Sequence, residues 1–315
     1  MLSRKKVAIS IGDLNGIGIQ LALENHQTIS KEVEPIYCID NAVLEQVAKK
    51  LQIKIPKEFK TIENIAPSFE IKAGVVSKES GAYAYASFTK AVELAKEKKV
   101  DAICTLPIHK KAWELAGVKY KGHTDALREF FDAEAIMMLG CSKMYVALFT
   151  EHIPLNKVAK SINEKALTRF LLDFYHTANP RNTVAVLGLN PHAGDDGVLG
   201  TEEKIIQKAI ESANITINPH YSQKEETPTY SNPLVPDVAF IPNVRRKYTH
   251  YIAMYHDQGL APLKALYFDE GINVSLNLPI LRTSVDHGTA FDVAYKGREL
   301  NNLSYINAIK YIVEN

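Results

Sequence analysis

Cysteine, tryptophan and unbalanced charge are all scarce in this chain, and each scarcity argues against a class of protein. Its 315 residues include only three cysteines and one tryptophan, and 37 basic residues nearly balance 36 acidic ones. The cysteines, at Cys38, Cys104 and Cys141, show no CxxC spacing. This pattern favours reduced core residues of a cytoplasmic protein. A net charge of +1 without a basic run gives no support for nucleic-acid binding.

Long apolar runs are also missing. No run approaches the ~20 residues needed to cross a bilayer. The N-terminal segment MLSRKKVAISIG passes directly from charge into a strand-like run without a cleavage site. We therefore expect a soluble cytoplasmic protein with no membrane or nucleic-acid partner. The length is sufficient for one large α/β domain or two smaller ones, each with its own core.

Short β-branched runs alternate with segments of helical periodicity. Residues 6–11 and 101–106 have the pattern of buried strands, and residues 82–98 have that of a helix. Alternation at this spacing predicts parallel βαβ units. The first strand ends in the Gly-rich stretch 12–18, which fits either an anion site at a helix N-terminus or a simple tight turn.

Most of the ionisable residues that suggest chemistry lie between residues 254 and 297, among glycines and apolar strand-like runs. Polar side chains delivered at the ends of buried strands are typical of active sites in α/β enzymes. Surface turns alone would not need so many of them. The residues concerned are His256, Asp257, Lys264, Asn273, Arg282, Asp286 and His287.

A second cluster surrounds the sequence Gly122-His123-Thr124. Gly122 interrupts the chain, and His123 and Thr124 stand where a helix would begin. An imidazole, a hydroxyl and free backbone N–H groups at that point suit a phosphate or a carboxylate. A simple helix cap by Thr124 is the alternative interpretation.

Three strand-like runs end in a histidine, namely His152, His192 and His256. Parallel strands end at the same edge of a sheet, so these imidazoles could converge there. Three neutral imidazoles with a fourth position open are typical of a catalytic divalent metal site. Their long-range spacing matches no local metal-binding motif.

Taken together, these blocks resemble one family, the 4-hydroxythreonine-4-phosphate dehydrogenases of pyridoxal phosphate biosynthesis. The segments GLNPHAG, MYHDQG and RTSVDHGTA carry the resemblance, which covers nearly the whole chain. It implies an α/β, isocitrate/isopropylmalate-dehydrogenase-like fold of two α/β subdomains, with the active site in the cleft between them. The first subdomain would comprise residues 1–125 plus about 270–315. The second, about 126–269, would carry the metal ligands and the dimer interface.

The resemblance also implies an activity. This is the metal-dependent, NAD- or NADP-linked oxidation of 4-phosphooxy-L-threonine, followed by decarboxylation to 3-amino-2-oxopropyl phosphate. The enzyme would be a homodimer with its site shared between subunits. Its partners would be a small phosphorylated substrate and one divalent ion per site, such as zinc, magnesium, manganese or cobalt.

Site residues follow from the resemblance at matching positions. The metal ligands would be His152, His192 and His256. The substrate contacts would be His123, Thr124, Lys264, Asn273 and Arg282. The cofactor would meet Asp286, His287, Gly288 and Thr289. Asp257 and Lys264 are the candidate catalytic residues, with Asp257 orienting an imidazole or taking a proton.

The chain departs from the family pattern at a few positions. The usual GDPAGIGPE is GDLNGIGIQ here, and GHTE is GHTD. These changes leave the proposed ligands intact and bear on the exact substrate. Two alternatives remain open: a related dehydrogenase acting on another phosphorylated four-carbon hydroxy acid, and a metal-dependent phosphate hydrolase. NADH formation without phosphate release would separate dehydrogenase from hydrolase.

Overall fold

A computed structural model describes residues 4–220 and 227–315. Its strands are β1 (Lys6–Ser10), β2 (Glu34–Cys38), β3 (Lys60–Thr61), β4 (Ala102–Thr105), β5 (Ile136–Cys141), β6 (Met144–Leu148), β7 (Val184–Leu187), β8 (Tyr230–Leu234), β9 (His250–Ala253), β10 (Ile272–Leu276) and β11 (Leu281–Val285). Its α-helices are α1 (Gly18–Ile29), α2 (Asn41–Leu51), α3 (Lys78–Lys96), α4 (Lys110–Leu115), α5 (His123–Phe131), α6 (Leu155–Ser161), α7 (Glu164–Ala178), α8 (Glu202–Ile217), α9 (Pro242–Arg245), α10 (His256–Tyr267) and α11 (Leu303–Glu314). Short 3₁₀ turns cover Pro191–Gly197 and Phe268–Glu270.

The chain divides into two compact units. One, here called the terminal unit, is formed by the residues up to Glu134 together with Asp269–Asn315. The other, the central unit, is Ala135–Phe268. Strands alternating with helices in both units confirm the α/β fold class. Within the described ranges, no helix combines the length and the apolar character of a membrane-spanning segment.

In the terminal unit the strands lie in the order β3-β2-β1-β4-β11-β10. All neighbouring pairs are parallel except β11 with β10. The inner strands are almost wholly apolar and buried, as expected where helices cover a parallel sheet. Ser77 caps the N-terminus of helix α3, because its side chain accepts a hydrogen bond from the Ser80 N–H. The helix packs its apolar face, including Phe88, with Trp113 of α4 into the core.

In the central unit the order is β5-β6-β9-β7-β8, and only β5 with β6 is antiparallel. Strands β6, β9 and β7 therefore run in one direction and end at the same edge. Helix α10 lies so close to β6 that a Cβ on Gly259 would fall 2.4 Å from the Val146 side chain. This contact explains the glycine of MYHDQG as a packing residue.

The Gly-rich stretch 12–18 is a tightly packed turn. A Cβ on Gly12 would lie 2.2 Å from the Pro107 carbonyl oxygen, and one on Gly16 would lie 2.7 Å from that of Thr289. Gly12 also has a φ of +74°, which favours glycine. Protein backbone occupies the space beside these glycines, so the structure favours the tight-turn interpretation over an anion site.

Candidate functional site

Arg282 is the largest charged side chain that the terminal unit buries, with 2% of its surface exposed. It lies on β11, directly across from Ser275 of β10. The guanidinium donates from Nε and Nη2 to the Thr105 hydroxyl, at 3.1 and 2.6 Å, and from Nη1 to the Ser275 hydroxyl at 3.1 Å. Hydroxyls of β4 and β10 thus fix the plane of the guanidinium.

No carboxylate among the described residues lies within ion-pair distance of Arg282. Burial lowers the pKa of its guanidinium to about 10, so the group is still cationic at neutral pH. Of the five N–H donors of an arginine, three are used by Thr105 and Ser275. A buried cation with spare donors is costly unless an anion joins it, so this arrangement is suited to a carboxylate or phosphate.

His123, the first residue of α5, is also buried in the terminal unit. Its ring contacts Phe88 and Trp113 edge-on, with centroids 4.8 and 5.3 Å away. Burial, and secondarily the charge of Arg282, lowers its pKa well below the usual value. The imidazole is therefore neutral near pH 7. Its Nε2 has no hydrogen-bond partner among the described residues.

The other predicted substrate contacts of the terminal unit lie beside these elements. Thr124 is buried in the first turn of α5, and it does not cap the helix through its side chain. Asn273 lies on β10 two residues before Ser275, hence on the same face of the strand. Its buried Oδ1 also lacks a partner in the described residues. Unsatisfied buried polar atoms are uncommon, and here they accompany an unneutralised arginine.

The predicted cofactor residues, Asp286–Thr289, follow β11 directly. The Asp286 N–H donates to the Ser304 hydroxyl at 3.0 Å, and the Thr289 carbonyl accepts from the Ile17 N–H at 3.1 Å. Between these anchors, a Cβ on Gly288 would meet no atom within 4 Å, and the buried Nε2 of His287 has no partner in the described residues. An anchored segment with an open middle fits a ligand-binding loop.

The central unit places the three histidines after parallel strands, as predicted. His152 follows β6, His192 follows β7, and His256 begins α10 after β9. The rings of His152 and His256 lie together, with centroids 5.7 Å apart. The His152 side chain is 62% exposed.

The His192 turn has an unusual backbone. His192, Ala193, Asp195 and Asp196 all have left-handed φ values, between 44° and 54°, as does Gly194 at 81°. Left-handed geometry costs a non-glycine residue roughly 1–2 kcal/mol. Such strain persists only where surrounding contacts impose it, and it is frequent at functional loops.

Asp257 and Lys264 both lie on α10. The Asp257 carboxylate is 2.7 Å from Nδ1 of His256, so it fixes which ring nitrogen carries the proton. The Asp257 side chain is otherwise 85% exposed. The ammonium of Lys264 lies 5.5 Å from the ring centroid of Phe268.

Several residues around the site could not be identified from sequence patterns. Thr105 and Ser275 hold Arg282, yet each is an ordinary hydroxyl in an apolar strand. Gln258 is buried and connects two of the histidine segments, because its side chain accepts from the Met254 N–H at 2.7 Å and donates to the Gly188 carbonyl at 2.6 Å. The sequence signal for Gln258 was its position inside MYHDQG, where the neighbouring residues have more obvious chemistry.

The geometry of the imidazoles bears on a metal site. Two imidazoles bound to one tetrahedral Zn²⁺ through bonds of about 2.1 Å have ring centroids roughly 5 Å apart. The separation of His152 and His256 fits such a pair. Within residues 4–220 and 227–315, however, no group of three His, Cys, Asp or Glu residues is placed to hold an ion. One chain therefore presents two of the predicted ligands together, and His192 does not complete a group with them.

Comparisons with known proteins agree with this chemistry. A profile of the family described as "Pyridoxal phosphate biosynthetic protein PdxA" matches residues 31–312. The 4-hydroxythreonine-4-phosphate dehydrogenase of Sulfurimonas denitrificans is 58% identical over 309 residues, covering 98% of this chain and 97% of the relative. That of Campylobacter fetus is 49% identical over 314 residues, covering 99% of both.

Solved structures extend the likeness to the fold. A 4-hydroxythreonine-4-phosphate dehydrogenase from Burkholderia phymatum matches with a TM-score of 0.77 and 30% identity, over 99% of this chain and 98% of its own. The family resemblance predicted from the sequence blocks is thereby confirmed. This chain belongs to the PdxA family, the 4-hydroxythreonine-4-phosphate dehydrogenases of pyridoxal phosphate biosynthesis.

Proposed function

We propose that this chain oxidises 4-phosphooxy-L-threonine with NAD or NADP and decarboxylates the product to 3-amino-2-oxopropyl phosphate, with a divalent metal ion. The observation that supports it best is the buried Arg282, which is held by two hydroxyls and has no carboxylate partner in the described residues. A substrate with a phosphate and a carboxylate supplies the missing anion.

The substrate would be held by Arg282, His123, Thr124, Asn273 and Lys264. Arg282 has spare N–H donors for one anionic group, in a fixed plane that suits bidentate binding. His123 is neutral, so its partnerless Nε2 can form one hydrogen bond with the substrate without adding charge. Lys264 adds a cation on α10. Together these residues position the substrate and neutralise its charge before reaction.

The metal would be bound by His152, His192 and His256. When bound, a divalent ion supplies Lewis-acid stabilisation of negative charge on oxygen. Asp257 holds the His256 ring through Nδ1, which leaves Nε2 as the nitrogen available for coordination. Asp257 is also exposed enough to accept a proton from solvent or substrate.

The nicotinamide cofactor would meet Asp286, His287, Gly288 and Thr289. This segment is fastened at Ser304 and Ile17, so it is ordered before the cofactor arrives. The partnerless Nε2 of His287 and the open space at Gly288 support a ligand at this position. We propose either NAD or NADP as the oxidant.

We further propose a homodimer with shared sites. Large apolar side chains are exposed directly beside two of the proposed ligands: Ile153 and Leu155 follow His152, and Val198 and Leu199 follow the His192 turn. Exposed apolar patches commonly mark protein interfaces. In the dimer, His192 and His256 would belong to different subunits, and two-fold symmetry would complete both sites.

The location would be the cytoplasm. The thiols of Cys38 and Cys104 are buried and form no disulfide, and burial raises the pKa of each to about 12. Reduced, unreactive thiols are typical of a reducing compartment.

The activity can be tested on purified protein supplied with Zn²⁺, Mg²⁺, Mn²⁺ or Co²⁺. With 4-phosphooxy-L-threonine and NAD⁺ or NADP⁺, we expect reduced nicotinamide and CO₂ in equal amounts and no inorganic phosphate. Other phosphorylated four-carbon hydroxy acids serve as the comparison panel. Phosphate release without nicotinamide reduction would contradict the proposal and indicate a hydrolase.

Subunit exchange tests the shared site. His192→Ala and His256→Ala should each be inactive as homodimers. In a mixed dimer, both lesions fall in one shared site and the other site keeps all its ligands, so activity should return on mixing. Verified heterodimers that remain inactive would show that each site takes its histidines from one chain.

A further inference from the structure

The carboxylate of Glu203 contacts the segment that leads into His192. Its Oε1 accepts the backbone N–H groups of Leu189 and Asn190, at 2.9 and 2.7 Å. Its Oε2 accepts from the side-chain amide of Asn190 at 2.9 Å. Glu203 is the second residue of α8, so a regular helix anchors this side chain. One carboxylate therefore accepts three hydrogen bonds from the connection between β7 and His192 and holds that connection in place.

The same carboxylate also approaches the far side of the turn. A Cβ on Gly194 would lie 2.6 Å from Oε2 of Glu203, so this glycine permits the close approach. Its φ of +81° likewise favours glycine. The carboxylate of Glu203 thus contacts residues on both sides of His192 in the turn.

The backbone of the turn needs such an anchor. His192 and the residues that follow it adopt left-handed φ values, which non-glycine residues avoid in isolated chains. A free segment would relax to ordinary geometry and move the imidazole of His192. The hydrogen bonds to Glu203 remove that freedom at the entry to the turn.

We propose that Glu203 is a positioning residue for His192, fixing the turn in the conformation that offers the imidazole to a divalent metal. The inference rests on the proposed function, in which His192 is a metal ligand. Residues that orient a ligand without touching the metal typically alter metal affinity by about 10–100-fold when replaced.

Two substitutions separate position from charge. Glu203→Asp keeps the charge at the helix start but withdraws the carboxylate by one methylene, beyond reach of both N–H groups. Glu203→Gln removes the charge and keeps an oxygen where Oε1 accepts both backbone bonds, while its amide nitrogen replaces Oε2, which accepts from the Asn190 side chain. The neighbouring Glu202→Gln is the matched control, because Glu202 contacts the Asn190 side chain but neither backbone N–H of residues 189 and 190.

The measurement is the affinity of the metal-free full-length protein for Zn²⁺, determined by competition with a chelating dye. The absorption spectrum of bound Co²⁺ is recorded in parallel, because it reports ligand geometry. We expect Glu203→Asp to weaken Zn²⁺ binding by about 10–100-fold and to alter the Co²⁺ spectrum. The Zn²⁺ affinities of Glu203→Gln and Glu202→Gln should each differ from that of the wild type by less than about tenfold.

Each other outcome has a definite meaning. Wild-type Zn²⁺ affinity in Glu203→Asp, with loss of binding in His192→Ala, overturns the positioning role alone. Weaker binding in Glu203→Gln than in Glu203→Asp shows that charge matters instead of position, which also overturns it. A Glu203→Asp variant that is unfolded when a chelator has removed the metal would show that Glu203 is required for folding. Wild-type affinity in His192→Ala instead refutes the metal assignment of the proposed function, and the positioning role falls with it.

Discussion

The predicted site residues of the two units differ in burial and in how far neighbouring side chains hold them. In the terminal unit, Arg282 and His123 are buried, and the hydroxyls of Thr105 and Ser275 already hold the guanidinium. In the central unit, His152 is largely exposed, and the described residues contain no three-residue group ready for an ion.

This difference shows which part of the chemistry one chain can build alone. A strand-mounted arginine obtains its geometry from register with neighbouring strands, which the unit's own sheet determines. The histidines lie on segments beyond the strand ends, beside exposed apolar residues such as Leu155 and Val198. On the proposed function, their final arrangement depends on a ligand or a second surface. We therefore expect the arginine cluster to bind anions in any folded chain, and the histidines to need metal and partner.

Metal removal should give the largest effect and separate the two clusters most clearly. Chelation, or His192→Ala, should lower turnover about 1,000-fold or more, because Lewis-acid stabilisation is lost. Sulfate binding to the Arg282 cluster, measured by calorimetry, should persist. The exposed His176 on α7 provides the matched control, and His176→Ala should keep full activity. Full activity in a verified metal-free sample would contradict a metal role.

Arg282→Lys should have the next largest effect. A lysine loses the planar donors that bind an anion in bidentate fashion and contact Thr105 and Ser275 together. We expect kcat/KM for the phosphorylated substrate to fall about 100-fold, equivalent to ~2.7 kcal/mol. Metal content should not change, since the histidines lie in the other unit. Arg298→Lys, at an exposed position, is the control. An unchanged kcat/KM would remove Arg282 from the site.

Thr105→Val should act more weakly, through Arg282. The substitution keeps the shape but removes the oxygen that accepts from Nε and Nη2. Leaving charged donors unsatisfied should cost about 1–3 kcal/mol of unfolding free energy and raise the substrate KM about tenfold. Thr283→Val, on the opposite face of β11, should leave KM unchanged. Equal effects of both variants on KM would show that the hydroxyl of Thr105 does not orient Arg282.

The smallest effect concerns pH and His123. Because burial lowers its pKa, the folded imidazole stays neutral while the unfolded one gains a proton below about pH 6.5. His123 therefore costs stability as pH falls through that value, and the cost is absent above it. His123→Asn should reduce the loss of unfolding free energy between about pH 7.5 and 5.5, measured in urea. An unchanged pH dependence would show that His123 titrates normally in the fold.

Sulfate affinity provides a second measurement on His123. The charge of sulfate does not change over this pH range, so the affinity for sulfate should not depend on pH if the His123 imidazole stays neutral. Tighter binding below about pH 6.5 would show instead that His123 becomes cationic in the folded state.

Much of the fold followed from local patterns. Short continuous apolar runs predicted strands such as β4 and β9. The placement of histidines just after β6, β7 and β9 was visible because a strand ends where its apolar run ends. The family blocks pointed to the activity. The sequence left two interpretations of residues 12–18 open, an anion site and a tight turn. Packing favours the tight turn, because Gly16 faces the backbone of Thr289, which is distant in the chain.

The α/β class, the family and the identity of the candidate residues could be established from sequence, since each depends on short stretches of chain. The contacts that support those residues became visible only in the folded units. Thr105 lies 177 residues from Arg282 in sequence, and Glu203 reaches back 13 residues to Asn190. Such contacts depend on strand register and on how each helix is anchored. These are set by the packing of the whole unit, so a local motif does not encode them.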